Sequence, residues 1–447
     1  MKRALVLTAL GVTLLGATRA SAHGGLPISQ GRIRSPATTK SYVPVAFWGL
    51  WIGEEGKPWT WICEEVINTQ RTRRYSLSTD GTFYVTDSVG MERSLDHGCT
   101  WTKVTGEIAS RRVVDATTAT TDGATAWAVS ADGNPVGDAG TTDNGVFVTH
   151  DHGDTWVRSG FPATDRQLVS VRVAPSSDQI VYVSSVYARG PYAPQLHRTD
   201  NGGTSFVAHN LDYLIDGGAP SDVQILAIDP RNPDVVYVRV QVNSIVDGGE
   251  RAQQSLLRSI DGGTTFSSLW TMDGQTTSLG TSRGIDGVAV DAGRGLVFVA
   301  TAKGLLVGTD AGSAATVTLA PTGNLSQAQC VDVQGSTIYA CANNFAPDQA
   351  AIARSDDGGK TFTSVLRFAD TEGPVMCPAG TPVGDQCPYF WLTYGAQLGI
   401  PVEAGDGGMT PTPTPGCGCE LGGSPASMVP LLVALLGLGL WARRRAR

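Results

Sequence analysis

The chain has 447 residues, 41% of them hydrophobic and 17% charged, with a formal net charge of −8. That balance excludes a disordered polyelectrolyte, and the scattered acidic residues exclude the basic footprint of a nucleic-acid binder. The 55 glycines follow no Gly-X-Y period and so belong to turns rather than to a collagen helix.

The N-terminus reads MKR, then ALVLTALGVTLLGA, then ASA before His23. A positive n-region, a short apolar stretch and a small-residue cleavage site make residues 1–22 a secretory signal peptide. Its removal would take away Lys2, Arg3 and Arg19 and bring the formal charge from −8 to −11. Residues 23–40 form a mature N-terminal segment. His23 at its head, followed by Gly24, is taken as incidental rather than as a metal brace.

From residue 41 to 400 one phrase recurs: Ser/Thr-x-Asp-x-Gly-x-Thr-aromatic. It appears as SLDHGCTW (94–101), THDHGDTW (149–156), SIDGGTTF (259–266) and SDDGGKTF (355–362), with TDNGGTSF (199–206) carrying Asn201 in place of Asp. IGEEGKPW (52–59) and GTDAGSAA (308–315) are worn copies. The third positions fall at 54, 96, 151, 201, 261, 310 and 357, so each unit is 42 to 60 residues long. A fixed period of this order marks a repeat architecture.

The phrase has a mechanical reading. The side chains of Asp96, Asp151, Asn201, Asp261 and Asp357 hydrogen-bond the backbone of a tight turn, and the glycine supplies the positive φ that the turn requires. The closing Trp or Phe opens the next strand and packs inward. Before each box comes a β-rich run such as TFYVTDS, VYVSSVY, VVYVRVQV, LVFVATA or TIYACA. Each unit therefore holds four short strands, the pattern of one propeller blade. No part of the exported region reads as a helix of useful length.

The boxes and their spacing resemble the Asp-box, or BNR-repeat, β-propellers: bacterial sialidases, the sortilin ectodomain and the xyloglucan-cleaving seven-bladed hydrolases. The resemblance implies an all-β propeller over residues 41–400, with the boxes in hairpin turns away from the ligand face. Seven box positions predict seven blades, with six plus decorations as the alternative. Only YVPVAFWGLWI precedes the first box, so the first blade is expected to lack two strands. The segment GPVMCPAGTPVGDQCPYFWLTYGAQLGI is expected to supply them and close the ring.

The connections from second to third strands vary most between units: ADGNPVGDAGTTDN, YARGPYAPQ, NSIVDGGERAQQ and NNFAPDQA. Insertions gathered at one repeat position map to one face, and Tyr187, Arg189 and Tyr192 are residue types that dominate contact hot spots. Arg112, Arg166 and Arg283 precede the innermost strands. Arg166 and Arg283 each stand five residues before an inner-strand valine, Val171 and Val288. Converging arginines hold a carboxylate bidentately, as the sialidase resemblance implies. Asp115, Asp222 and Asp286 lie near inner strands, where a glycoside hydrolase of the usual kind needs two opposed carboxyls.

The resemblance stops short of catalysis. GRIRSP (31–36) lacks the proline of the sialidase Arg-Ile-Pro motif, and no nucleophile pair appears. The histidine at 97 and those at 150 and 152 sit in the turns of two different blades, the 132–145 loop lacks EF-hand spacing, and no phosphate loop or zinc signature occurs. No cofactor and no metal are expected. The reading is an exported, non-enzymatic binding module for a glycan, peptide or envelope partner, with a secreted glycoside hydrolase as the alternative.

Export makes the eight cysteines disulfide candidates. Cys330 and Cys341 are symmetric about the turn in QCVDVQGSTIYAC and are expected to bridge. Cys377 pairs with Cys387 around a Pro/Gly loop, and Cys63 with Cys99 by elimination. The tail runs from a Thr/Pro/Gly linker (401–416) into CGCELGGSPAS, an uncharged stretch from Leu421 to Ala442, and an arginine cluster. Residues 417–447 resemble the MYXO-CTERM sorting domain of myxobacterial surface proteins. That likeness implies a transmembrane helix, a sorting protease as partner, processing at Cys417 and Cys419, and a surface location.

Overall fold

The computed structural model describes residues 27–401, apart from 36–37, 68–73, 88–89, 133–142, 163, 165, 187–193, 212–219, 247–248, 277–281 and 311–316. Residues 1–22 and those after 401, with Cys417 and Cys419, lie outside the described residues, as do Tyr187, Arg189 and Tyr192. Among the described residues no helix is long and apolar enough to cross a membrane.

Among the described residues seven sheets follow one another along the chain, each built on an antiparallel meander of four consecutive strands, with a fifth strand added to the first and the fifth sheets. They are the blades of a seven-bladed β-propeller. The first strands of blades 1 to 7 are Ile33–Arg34, Arg74–Leu77, Val113–Thr118, Gln167–Ala174, Pro220–Ile228, Ile285–Asp291 and Cys330–Gln334. The second strands, such as Ala126–Ser130, are buried on both sides, because each is sandwiched between neighbouring blades. Fourth strands such as Thr102–Lys103 are exposed, whereas that of blade 1, Trp59–Ile62, is buried. Burial on two faces is why the sequence shows near-continuous apolar runs there instead of alternation.

The core is correspondingly a ring of clusters between blades. Trp127 of blade 3 packs with Val171 and Val183 of blade 4, Tyr237 of blade 5 with Val299 of blade 6, and Phe298 of blade 6 with Ile338 of blade 7. Blades 7, 1 and 2 share the largest cluster, built on Trp51, Trp61 and Phe83.

The five full boxes repeat one hydrogen-bond pattern. In blade 3 the Thr149 hydroxyl donates to Asp151 at 2.7 Å and accepts from the Gly153 N–H at 2.9 Å. Asp151 in turn accepts the Thr155 N–H at 2.8 Å and its hydroxyl at 2.5 Å. Blades 2, 5 and 7 do the same through Asp96, Asp261 and Asp357. In blade 4, Asn201 accepts the Ser205 N–H through its oxygen and donates through its nitrogen to the Ser205 hydroxyl.

The box glycine has a second duty that the sequence did not disclose. Gly203 has φ +84°, and a Cβ there would come within 2.4 Å of the Trp127 ring on the preceding blade. Gly98, Gly153, Gly263 and Gly359 abut Ile62, Tyr84, Leu196 and Phe298, again on the preceding blade. The box locks its own hairpin and also seats its blade on the one before.

Three acceptor bonds should make the Asp151 carboxylate a strong acid. The Thr155 hydroxyl, then the Thr155 N–H, pull its pKa down to about 2. A folded-state value below the ordinary one adds stability above the unfolded pKa, and that stability is lost as pH falls through about 2. Carboxyl ¹³C titration should place the Asp151 midpoint near 2, and Thr155→Ala should raise it. A midpoint near the ordinary aspartate value in the parent protein would show the lock open in solution.

Blade 1 departs from expectation. Its first strand, Ile33–Arg34, comes from the N-terminal segment, its second is Ser41–Val45, and the box turn follows Gly49–Gly53 as in the other blades. The C-terminal segment does not supply two strands. It adds one outer strand, Thr371–Pro374, parallel to Trp59–Ile62, and then a helix, α1 (Pro382–Gln397). A two-residue strand carries no periodicity to read, so the N-terminal contribution was invisible.

The helix was also missed. Thr381 caps it by accepting the Gly384 N–H, Pro382 occupies its first turn, and Val383, Cys387, Trp391 and Tyr394 form its buried stripe. The Thr-Pro start and that spacing were the available signals; Pro388 inside the helix obscured them.

Cys330 bridges Cys341 as expected, across directly paired strand positions. The other two pairings are corrected: Cys63 bonds Cys387, and Cys99 bonds Cys377. The helix is the reason. It carries Cys387 inward with Val383 and Trp391 onto blade 1, while Cys377 stays ahead of the Thr381 cap, against the box of blade 2.

Candidate functional site

The first strands surround the propeller axis, and their charged side chains meet there. Arg172 of blade 4 pairs with Asp115 of blade 3 at 2.5 Å. Arg239 pairs with Asp222 within blade 5 at 2.5 Å, and Arg32 of the N-terminal segment reaches Asp332 of blade 7 at 2.6 Å. Asp115 is almost fully buried and also accepts the Val171 N–H. Arg32 lies 3.7 Å above the Tyr339 ring and donates to Gln334, so it closes the ring between its two ends.

Two cavities lie along this axis. One of about 270 Å³ is lined by Gln30, Arg32, Arg74, Ser76, Asp115 and Arg172. The other, of about 320 Å³, is lined mainly by apolar residues such as Val173, Ile228, Val290 and Val333, with Arg172 and Asp332 at its border.

Arg74, the first residue of blade 2's first strand, keeps solvent-accessible surface although protein surrounds it. That is the situation of a side chain in a water-filled channel. Burial lowers its pKa; Asp115 opposes the shift, and Arg172 and Arg239 add to it.

Neither Arg112 nor Arg166 lines either cavity. Arg112 is exposed, with its N–H on the Asp132 carboxylate at 2.5 Å. The Arg166 carbonyl accepts from Asn144 at 2.8 Å. The Arg166 charge reaches buried His197, whose pKa is pushed down to about 3 by burial first and by Arg166 second. Arg283 pairs through its backbone with Gln275 along the edge of blade 5, and its side chain lies outside the described residues.

The three therefore stand at separate blade junctions. Blade-to-blade connections are tied to neighbouring loops, whereas channel positions are set by alternation within the first strands. Asp115 and Asp222, singled out as carboxyls, do lie at the channel, each held by an arginine. Among the described residues no His, Cys, Asp and Glu group could hold a metal ion. His97 and His152 occupy left-handed turn positions, and His152 pairs with Asp80 at 2.5 Å.

No protein-family model matches the chain, and no curated protein sequence matches it. Among solved structures it is similar to the GH74 enzyme of Niastella koreensis, with 15% identity over 76% of this chain and a TM-score of 0.47. The chain spans about half the length of that enzyme, 54%. It is also similar to the GH74 xyloglucanase from Xanthomonas campestris, with 13% identity, 80% and 69% coverage of the two chains, and a TM-score of 0.38. YCF48 from Cyanidioschyzon merolae gives 14% identity, 70% and 92% coverage, and 0.44. Likeness at this level assigns neither substrate nor partner.

Proposed function

We propose that the protein is an exported, surface-anchored β-propeller that binds a glycan, peptide or envelope partner without turning it over. The observation that carries this reading is the state of the channel carboxyls. Asp115, Asp222 and Asp332 are each engaged by an arginine, so each is held as a spent acceptor. Glycoside hydrolysis needs one carboxyl kept protonated with a raised pKa and a second opposite it. Here each of the three is already bonded to a guanidinium, so they form no unengaged pair of that kind.

Three disulfides support an oxidising destination. In this reading residues 1–22 direct export, and the tail, with Cys417 and Cys419, is recognised by a sorting protease and holds the propeller at the surface. The loops between second and third strands, opposite the boxes, frame the binding face.

The full chain should be screened on glycan and peptide arrays beside hydrolysis assays on sialosides and β-glucans. Saturable binding without turnover is the expected result. Turnover that disappears in Asp115→Asn or Asp222→Asn would overturn the reading in favour of a hydrolase.

A further inference from the structure

The ring of ion pairs leaves one charge over. Arg32, Arg172 and Arg239 are matched by Asp332, Asp115 and Asp222. Arg74 lines the same cavity, and its side chain makes no hydrogen bond or ion pair with any described residue. Two residues on, and therefore on the same face of the strand, the buried Ser76 hydroxyl also lacks a hydrogen-bond partner. Two unsatisfied polar groups thus share a lining of about 270 Å³. A guanidinium that lines a channel with no direct counter-ion is open to an anion, and a buried hydroxyl with no partner is costly.

We propose that Arg74 and Ser76 form a site for a single carboxylate inside the channel. Three observations set the ligand class. One guanidinium with no direct partner among the described residues matches a monoanion, its flat fork matches a carboxylate's two oxygens, and the hydroxyl adds a third donor. The cavity sits below the usual range for a whole drug-sized ligand, about 300–1,000 Å³, so it takes a carboxylate-bearing group rather than a large molecule. Ion pairs on either side hold Arg172 and Arg239 away from the ligand. This inference rests on the binding reading, because a channel of spent carboxylates leaves an arginine as its free recognition group.

The test is titration of the full chain with ¹³C-acetate and D-glucuronate, with methyl glucuronate and inorganic phosphate as further arms. Saturable binding of both carboxylates is expected, with neither phosphate nor the ester competing. Arg74→Gln should weaken it at least tenfold, Arg74→Lys less, and Ser76→Ala several-fold. Asp115→Asn keeps an acceptor for the Val171 N–H but frees Arg172, so it should tighten acetate binding. A misfolded variant cannot produce that gain. Acetate should raise the melting temperature of the parent and not of Arg74→Gln.

Equal acetate affinity in parent and Arg74→Gln overturns the site, and so does a preference for phosphate. An array ligand whose affinity ignores Arg74→Gln also overturns the site while leaving the binding reading intact. Turnover of a sialoside or β-glucan is the separate result that defeats the binding reading.

Discussion

Removing both ring-closing disulfides, by alanine at Cys63, Cys387, Cys99 and Cys377, should cost about 8 kcal/mol or more, comparable with the whole stability of an ordinary domain. The bridges span 324 and 278 residues, and each joins the C-terminal segment to the start of the ring. With Cys99–Cys377 kept, breaking Cys63–Cys387 opens a loop of only roughly fifty residues, so the first loss should cost about 4 kcal/mol. The second loss opens nearly the whole chain.

The bridges matter because the closure is otherwise thin. The outer strand Thr371–Pro374 is short, and α1 rests on Trp48 and Trp61 through Trp391 and Tyr394. Urea unfolding, read with limited proteolysis of α1, is the measurement. Alanine at Cys330 and Cys341, which close a loop of 11 residues, should cost about 3 kcal/mol and leave α1 protected. If the fourfold variant unfolded within about 2 kcal/mol of the parent, the helix would not be the clasp of the ring.

Asp310→Ala should cost about 3–5 kcal/mol, the penalty for stranding a buried charge. Asp310 is the third residue of the worn sixth box, where Gly308 replaces the Ser or Thr and the aromatic is gone. Relieved of its own turn, it faces the preceding blade. It takes the Arg258 guanidinium at 2.7 and 2.6 Å, and the Tyr237 hydroxyl donates to it as well. Both members of the pair are almost wholly buried. Burial lowers the Arg258 pKa, with Asp229 opposing, so loss of Asp310 worsens an already costly position.

Replacing both partners by Arg258→Met and Asp310→Leu should cost far less than the single change, because no charge is left behind. Chemical denaturation of the single and double variants closes the cycle. A cost under about 1 kcal/mol for Asp310→Ala would mean that solvent reaches Arg258.

Much of the architecture was legible because the box is a local device. Thr149, Asp151, Gly153 and Thr155 complete their hydrogen bonds within seven residues, so type and spacing suffice to recognise the turn. Cys330 and Cys341 were legible for the same reason, being mirrored about one hairpin. The channel was not. Nothing in the sequence sets Arg74 apart; blades 3, 4 and 5 bring Asp115, Arg172 and Asp222 around it. The matching positions of Arg166 and Arg283 reflected repeat phase, and phase locates a residue within a unit without saying which side chains meet at the axis.

Within each fifty-residue unit, then, hydrogen-bonding groups a few positions apart dictated the hairpins, their number and the buried middle strands. Folding alone decided how the ends meet: the crossed cysteines, the capped helix, the N-terminal strand against blade 7 and the charge left over at Arg74. Those contacts join residues as much as 324 positions apart. Their partners are chosen by packing in three dimensions, and no short-range pattern records that choice.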